Sequence, residues 1–191
     1  MAPFLLIGLG NPGAEYAGNR HNIGFMALDV YLKGLSISEK NQYNAQFAKF
    51  KIEHGGRSEE VITLKPQTFM NLSGQSVQPV MDFYKIPPSN LIVVHDEVDL
   101  PFQGIKIQKN RGAGGHNGIK SISGLIGTQD YIRVRLGVGK PSHPEFSVAD
   151  YVLGRFAPEE MQTIMPFLEK AGDAIEAIIF EGYEKAATKF N

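Results

Sequence analysis

Two short runs without a polar residue, Phe4-Leu5-Leu6-Ile7 and Leu91-Ile92-Val93-Val94, constrain the fold of this chain most. A strand that is apolar at every position must be covered on both faces, as in the interior of an α/β sheet. The segments around them supply the cover. Ile23, Met26, Ala27, Val30 and Tyr31 have helical spacing, with Asn22 as expected N-cap and Gly34 as stop. Ala48, Phe50 and Ile52 alternate with Lys49, Lys51 and Glu53. The turn residues His54 to Ser58 then lead into Val61 to Leu64, which reads as an antiparallel hairpin. Ser73 is placed to cap a helix through Val77, Val80, Met81 and Tyr84, and Pro87-Pro88 separates that helix from the second apolar run, which ends at His95-Asp96.

Ile105 to Lys109 alternates, a helix beginning at Asn117 or its neighbours runs through Ile119, Ile122 and Ile126, and Tyr131 to Val138 alternates again. Pro158-Glu159-Glu160 opens a long C-terminal helix through Met161, Ile164, Leu168, Ala171, Ile175 and Ile179, with Pro166 as a point of kinking. The expectation is an α/β fold, one domain over residues 1–191, with a twisted, mixed, mostly parallel β-sheet and helices on both faces.

Composition narrows the chemistry. The chain has no cysteine, so thiolate nucleophiles, disulfides and cysteine-ligated metals are excluded. The opening apolar run lacks a basic leader and is too short to span a bilayer, which points to a cytoplasmic protein without a membrane partner. Net charge is −1, yet Gly104 to Lys140 holds seven basic residues against the single acid Asp130, a net of +6. Such a tract is either a phosphate-binding face or a solvated basic surface.

Gly8, Gly10 and Gly13 follow the first strand in the spacing G-x-G-x-x-G. A dinucleotide site needs the helix to start at the loop, so that its N-terminus holds the pyrophosphate, and needs an acidic strand end about 20 residues on. Neither is met: the helical pattern begins near Ile23, and Asp29 falls within it. The loop instead offers Asn11, Tyr16 and His21 at the carboxyl end of a strand, where open α/β sheets bind ligands.

Three further stretches place amides and acids at strand ends or helix starts: KPQTFMNLSG (65–74), HDEVDLP (95–101) and GAGGHNG (112–118). Singly, Asn71, Asp96 and Asn117 have ordinary uses as turn or cap residues. Together, GLGNPGAEYAGNRHNIGF, TFMNLSG, HDEVDLPF and GAGGHNGIKSI resemble, in order and separation, the signature segments of the bacterial-type peptidyl-tRNA hydrolases, over nearly the full chain.

That resemblance implies hydrolysis of the ester between peptide and tRNA, freeing the tRNA for reuse, with no cofactor and no metal. It implies His21 as general base, Asp96 as the acid that holds its other ring nitrogen, and Asn11, Asn71 and Asn117 around the ester and the 3′ end. Tyr16 and Phe69 match further substrate-contacting positions. Lys106 and Arg135 match positions that hold acceptor-stem phosphates, which would make the basic tract the tRNA-facing surface. Gln108 stands where a basic residue is common in the family and Arg111 where a small one is usual. A monomer is implied. The three glycines are then expected to let the backbone turn so that Asn11 and His21 face one crevice.

Two other readings draw on the same residues. A metal hydrolase would draw on His95, Asp96, Glu97, Asp99 and His116, but adjacent strand residues point in opposite directions and no H-E-x-x-H is present. A non-catalytic RNA-binding module would share the basic tract without needing His21 and Asp96. His116 is expected to support its loop, and His54 and His143 to lie in surface loops.

Overall fold

In the computed structural model, which describes residues 1–191, the two apolar runs become hydrogen-bonded neighbours at the centre of one sheet. The strands are β1 (Phe4–Gly8), β2 (Lys40–Gln42), β3 (Ala45–His54), β4 (Arg57–Pro66), β5 (Leu91–Glu97), β6 (Ile105–Lys109) and β7 (Ile132–Gly137). The helices are α1 (Ile23–Gly34), α2 (Gly74–Tyr84), α3 (Asn117–Ile126), α4 (Val148–Val152), α5 (Pro158–Glu181) and α6 (Tyr183–Phe190). The seven strands lie in the order β2-β3-β4-β1-β5-β7-β6. The central four, β4-β1-β5-β7, are mutually parallel, and antiparallel strands flank them at both edges.

Strand alternation sorts the apolar side chains into two cores, as a period of two requires. Leu6, Ile92, Val94, Ile132, Val134 and Leu136 face α1 and α5, whereas Leu5, Ile7, Ile62, Leu64, Leu91 and Val93 face α2 and α3. Helices therefore cover both faces, as the all-apolar runs demanded.

The helix ends differ from expectation in ways that matter for the site. Asn22 does not cap α1, since a 3₁₀ turn at Arg20–Asn22 precedes that helix. Its side chain is spent on the loop, accepting from Asn11 N and donating to Asn11 O, both at 2.9 Å. Ser73 donates its hydroxyl to Met70 O at 2.7 Å and caps nothing. α3 is capped by His116, whose Nδ1 accepts from the backbone N–H groups of Gly118 and Ile119. Pro166 does not interrupt α5. The short elements β2 and α4 carry too few residues for periodicity to reveal them.

The glycine loop also works differently from the turn-forming role expected of it. Only Gly13 has a positive φ, 110°. At Gly8 and Gly10 an added Cβ would lie 2.5 Å from Gly24 O and 2.7 Å from the Phe25 ring, so these positions are glycine because α1 packs against the strand end.

Candidate active site

The site forms where β1 and β5 end side by side, at the carboxyl edge of the parallel strands. There a cavity of about 1000 Å³ is lined by Asn11, His21, Phe69, Asn71, Asp96 and Asn117, among others. Sequence-distant loops after the parallel strands β1, β4, β5 and β7 supply much of it, because parallel connections return each of them to the same edge, and the residues leading into α3 complete it.

Asp96 anchors the arrangement. Its carboxylate is 3% exposed and receives His21 Nδ1 at 3.0 Å and 2.9 Å on its two oxygens, and His116 Nε2 at 2.8 Å on Oδ1. Because His116 Nδ1 accepts the N-terminal amides of α3, its Nε2 must carry the proton donated to Asp96. For His21, a hydrogen bond from Nδ1 to the carboxylate leaves Nε2 as the unprotonated nitrogen of the neutral ring, on a side chain that lines the cavity.

Burial by itself would push the Asp96 carboxyl up. Electrostatic interaction with the imidazoles of His116 and His21, and the hydrogen bonds they donate, outweigh it and hold the group well below the usual carboxylate range. Asp96 is thus an anion throughout the neutral range.

His95 lies behind this pair. It is buried, its ring meets that of His116 edge-on with centroids 4.8 Å apart, and its Nδ1 donates to Asp96 O at 2.8 Å. Complete burial, reinforced by the neighbouring His116 imidazole and the positive charge of Arg133, holds it neutral far below the ordinary histidine range. In the unfolded chain the same imidazole binds a proton below about pH 6.5. The unfolded state then holds more protons than the folded one, so this contribution to stability is present above that pH and lost as pH falls beneath it. The loss approaches about 1.4 kcal/mol per pH unit. Urea denaturation between pH 7.5 and 5.5 is expected to give a steeper fall in stability for the wild type than for His95→Gln, and equal slopes would remove His95 as the source.

Asn11 is also buried, and its orientation is fixed. Its Oδ1 accepts from Met70 N at 2.7 Å, which only an oxygen can do, so Nδ2 is the atom left without a protein acceptor. A donor held in place in the cavity that the His21 imidazole also lines can stabilise negative charge developing on a carbonyl oxygen. Asn71 and Asn117 are exposed on the cavity wall, and Phe69, 57% exposed, presents its ring there.

Three of the residues marked in the sequence lie elsewhere. Tyr16 sits half-buried in the glycine loop and outside the cavity lining. Lys106 and Arg135 face one another across β6 and β7 and are not part of the cavity lining, although Glu97, which Arg135 holds, is. Lys106 is exposed, but Arg135 is 4% exposed, with Nε on Glu97 Oε2 at 3.1 Å and Nη1 on Gln108 Oε1 at 2.5 Å. Gln108, where a basic residue was expected, is thus the acceptor for Arg135. Arg133 is likewise buried and donates to Gly112 O at 3.0 Å, so two of the tract's charges are turned inward.

Sequence reasoning gave His116 only a supporting role. The structure puts it on Asp96, with its ring centroid 5.0 Å from that of His21. The donor atoms of His21, Asp96 and His116 lie within 4.8 Å of one another, a grouping that differs from the metal set considered in the sequence. The available signal was a histidine immediately before a helix lacking a Ser, Thr or Asp cap.

Comparison with known proteins places the chain in a family. The sequence profile of the family described as peptidyl-tRNA hydrolase matches residues 5–191. A peptidyl-tRNA hydrolase from Bdellovibrio bacteriovorus is 60% identical over 189 residues, covering 98% of this chain and 99% of that one. One from Citrifermentans bemidjiense is 44% identical over 193 residues, covering 100% and 99%. The crystal structure of peptidyl-tRNA hydrolase from Acinetobacter baumannii superposes with a TM-score of 0.89 at 34% identity, over 99% of this chain and 94% of that one. With the match running through every element that builds the cavity, the chain belongs to the peptidyl-tRNA hydrolase family.

Proposed function

We propose that this chain hydrolyses the ester linking a peptide to the 3′ end of tRNA, with His21 as general base and Asp96 holding it. The observation that carries the reading is the bond from His21 Nδ1 to Asp96, which leaves Nε2 free on the wall of the cavity that the donor amide of Asn11 also lines. Nε2 takes a proton from water as its oxygen attacks the ester carbonyl. The imidazolium so formed is stabilised by the Asp96 carboxylate, and the charge on the carbonyl oxygen by Asn11 Nδ2. Collapse breaks the bond to the ribose oxygen, which receives the proton from Nε2, leaving a free tRNA hydroxyl and a peptide carboxylic acid that releases its remaining proton to solvent to become the carboxylate. No covalent enzyme intermediate and no metal enter these steps.

Asn71, Asn117 and Phe69 offer amides and an aromatic face to the peptide backbone and the terminal base, contacts that do not select a peptide sequence. Tyr16 meets substrate from the rim. The acceptor stem lies along β6 and β7, where Lys106 gives the surface cation and Arg135 contributes charge from beneath. The enzyme works as a monomer in the cytoplasm; no helix is long and apolar enough to cross a membrane.

The direct test is peptide release from N-blocked peptidyl-tRNA by the purified chain, with and without chelator. Release unaffected by chelator is the expected result. Intact substrate would sink the proposal, and activity lost with chelator would hand the site to a metal at His21, Asp96 and His116. Lys106→Ala is expected to weaken tRNA binding several-fold and to lower the slope of log affinity against log salt by about one. An unchanged slope would take Lys106 off the RNA.

A further inference from the structure

Part of the cavity wall is built by residues from Lys140 to Leu153, including Phe146, Val148, Val152 and Leu153. Phe146, Val148 and Leu153 are substantially exposed there, so this wall offers apolar surface to whatever fills the cavity. Its helix, α4, has five residues, far too few to be stable alone. Its closest packing outside its own segment is on the 3₁₀ turn Arg20–Asn22, which carries His21.

The joint is Arg20. Its Nη1 donates to Arg155 O at 2.6 Å and its Nη2 to Glu160 Oε2 at 2.9 Å. Its guanidinium lies over the Tyr151 ring at 4.3 Å, and the Tyr151 hydroxyl donates to Val138 O at 2.7 Å. The same Glu160 oxygen accepts from Ala157 N at 2.7 Å, which ties the joint to the start of α5. Backbone bonds run alongside: Arg20 N donates to Gly154 O at 3.0 Å, and Asn19 bridges Arg155. The C-terminal end of the apolar wall is therefore fastened directly to the residue before the base, and its N-terminal end through Tyr151.

From this we infer that Arg20 is a positioning residue that couples peptide contact on the Val148–Leu153 wall to the placement of His21, so that residues beyond the first in the peptide raise the rate of ester cleavage. The inference rests on the hydrolase reading and deepens it. A planar fork satisfies two acceptors and stacks on an aromatic ring at once, which a lysine ammonium cannot reproduce. A peptide chain lying on the wall restrains α4, and through Tyr151, Arg155 and the guanidinium it restrains the turn bearing His21. A substrate with one amino acid does not reach the wall and gains nothing. Placement errors of an ångström at a base are costly in kcat.

The experiment compares wild type, Arg20→Lys and Glu160→Gln on two substrates, N-acetylaminoacyl-tRNA and tRNA esterified to an N-blocked apolar hexapeptide. The wild type is expected to have a kcat several-fold higher on the hexapeptide. Arg20→Lys is expected to lose about tenfold in kcat on the hexapeptide and about threefold on the single residue, with KM for each changed by less than about twofold. Glu160→Gln, which spares the contacts to Arg155 and Tyr151, shows the same bias at smaller size and decides the matter if Arg20→Lys is unstable. Equal fractional losses on both substrates, or losses confined to KM, would overturn the coupling and leave Arg20 a stabilising residue only. A wild type that cleaves neither substrate would instead overturn the hydrolase reading itself.

Discussion

Replacing His21 by alanine is expected to lower kcat for peptide release by about 10³–10⁴-fold, equivalent to about 4–5.5 kcal/mol in the barrier, while tRNA binding changes little. The side chain lies at the cavity wall and makes one recorded polar contact, to Asp96. Its loss removes the proton acceptor without disturbing β6 and β7, where the basic surface lies. Asp96→Asn is expected to be milder, about 10²–10³-fold, and for a definite reason. A carboxylate gives acceptor oxygens to both His21 and His116, whereas an amide has one oxygen and turns an N–H group toward one of two N–H donors. Single-turnover kinetics with a parallel binding titration separates these outcomes. If tRNA affinity fell to the same extent as turnover in His21→Ala, His21 would act in RNA binding and not as the base.

Gly24→Ala should cost about 3 kcal/mol or more and lower the thermal midpoint by roughly 10 °C. A Cβ there would lie 2.4 Å from Val94 O and 2.5 Å from Leu9 N. These are backbone atoms joined to each other by the 3.1 Å hydrogen bond from Leu9 N to Val94 O, so no side-chain rotation relieves the clash. α1 would have to move off β1 and β5, taking the turn with His21 away from Asp96. Gly34→Ala in the same helix is the control. Nothing lies within 4 Å of its added Cβ, and alanine is the better helix former by about 0.5–1 kcal/mol, so a neutral or stabilising effect is expected. Calorimetry on the two variants checks the contrast, and equal midpoints would refute the close-packing account.

What was legible in the sequence follows from what each signal encodes. The apolar runs of β1 and β5 showed burial on both faces, because a strand side chain faces one layer or the other and all of theirs are apolar. His21, Asp96, Asn11, Asn71 and Asn117 were legible through long motifs, and all five line the cavity. The pattern failed where one side chain had several possible partners. Asn22 and Ser73 had the right chemistry for caps and were engaged by Asn11 and Met70 instead, contacts that depend on how loops fold over the strand ends. Arg135 counted toward a basic tract, but alternation along β7 turns it under the surface onto Glu97 and Gln108.

The sequence by itself determined the layered α/β fold and the set of polar residues available for chemistry, because periodicity and residue type are local properties. Only the tertiary structure decided that Asp96 serves two histidines, that His116 and not Asn117 caps α3, and that Arg20 fastens the far wall to the base. Each of these joins segments between 20 and 140 residues apart, or chooses among equivalent local partners. Such choices are made by the packing of helices on a common sheet, which brings the strand-end loops together and which no window of sequence contains.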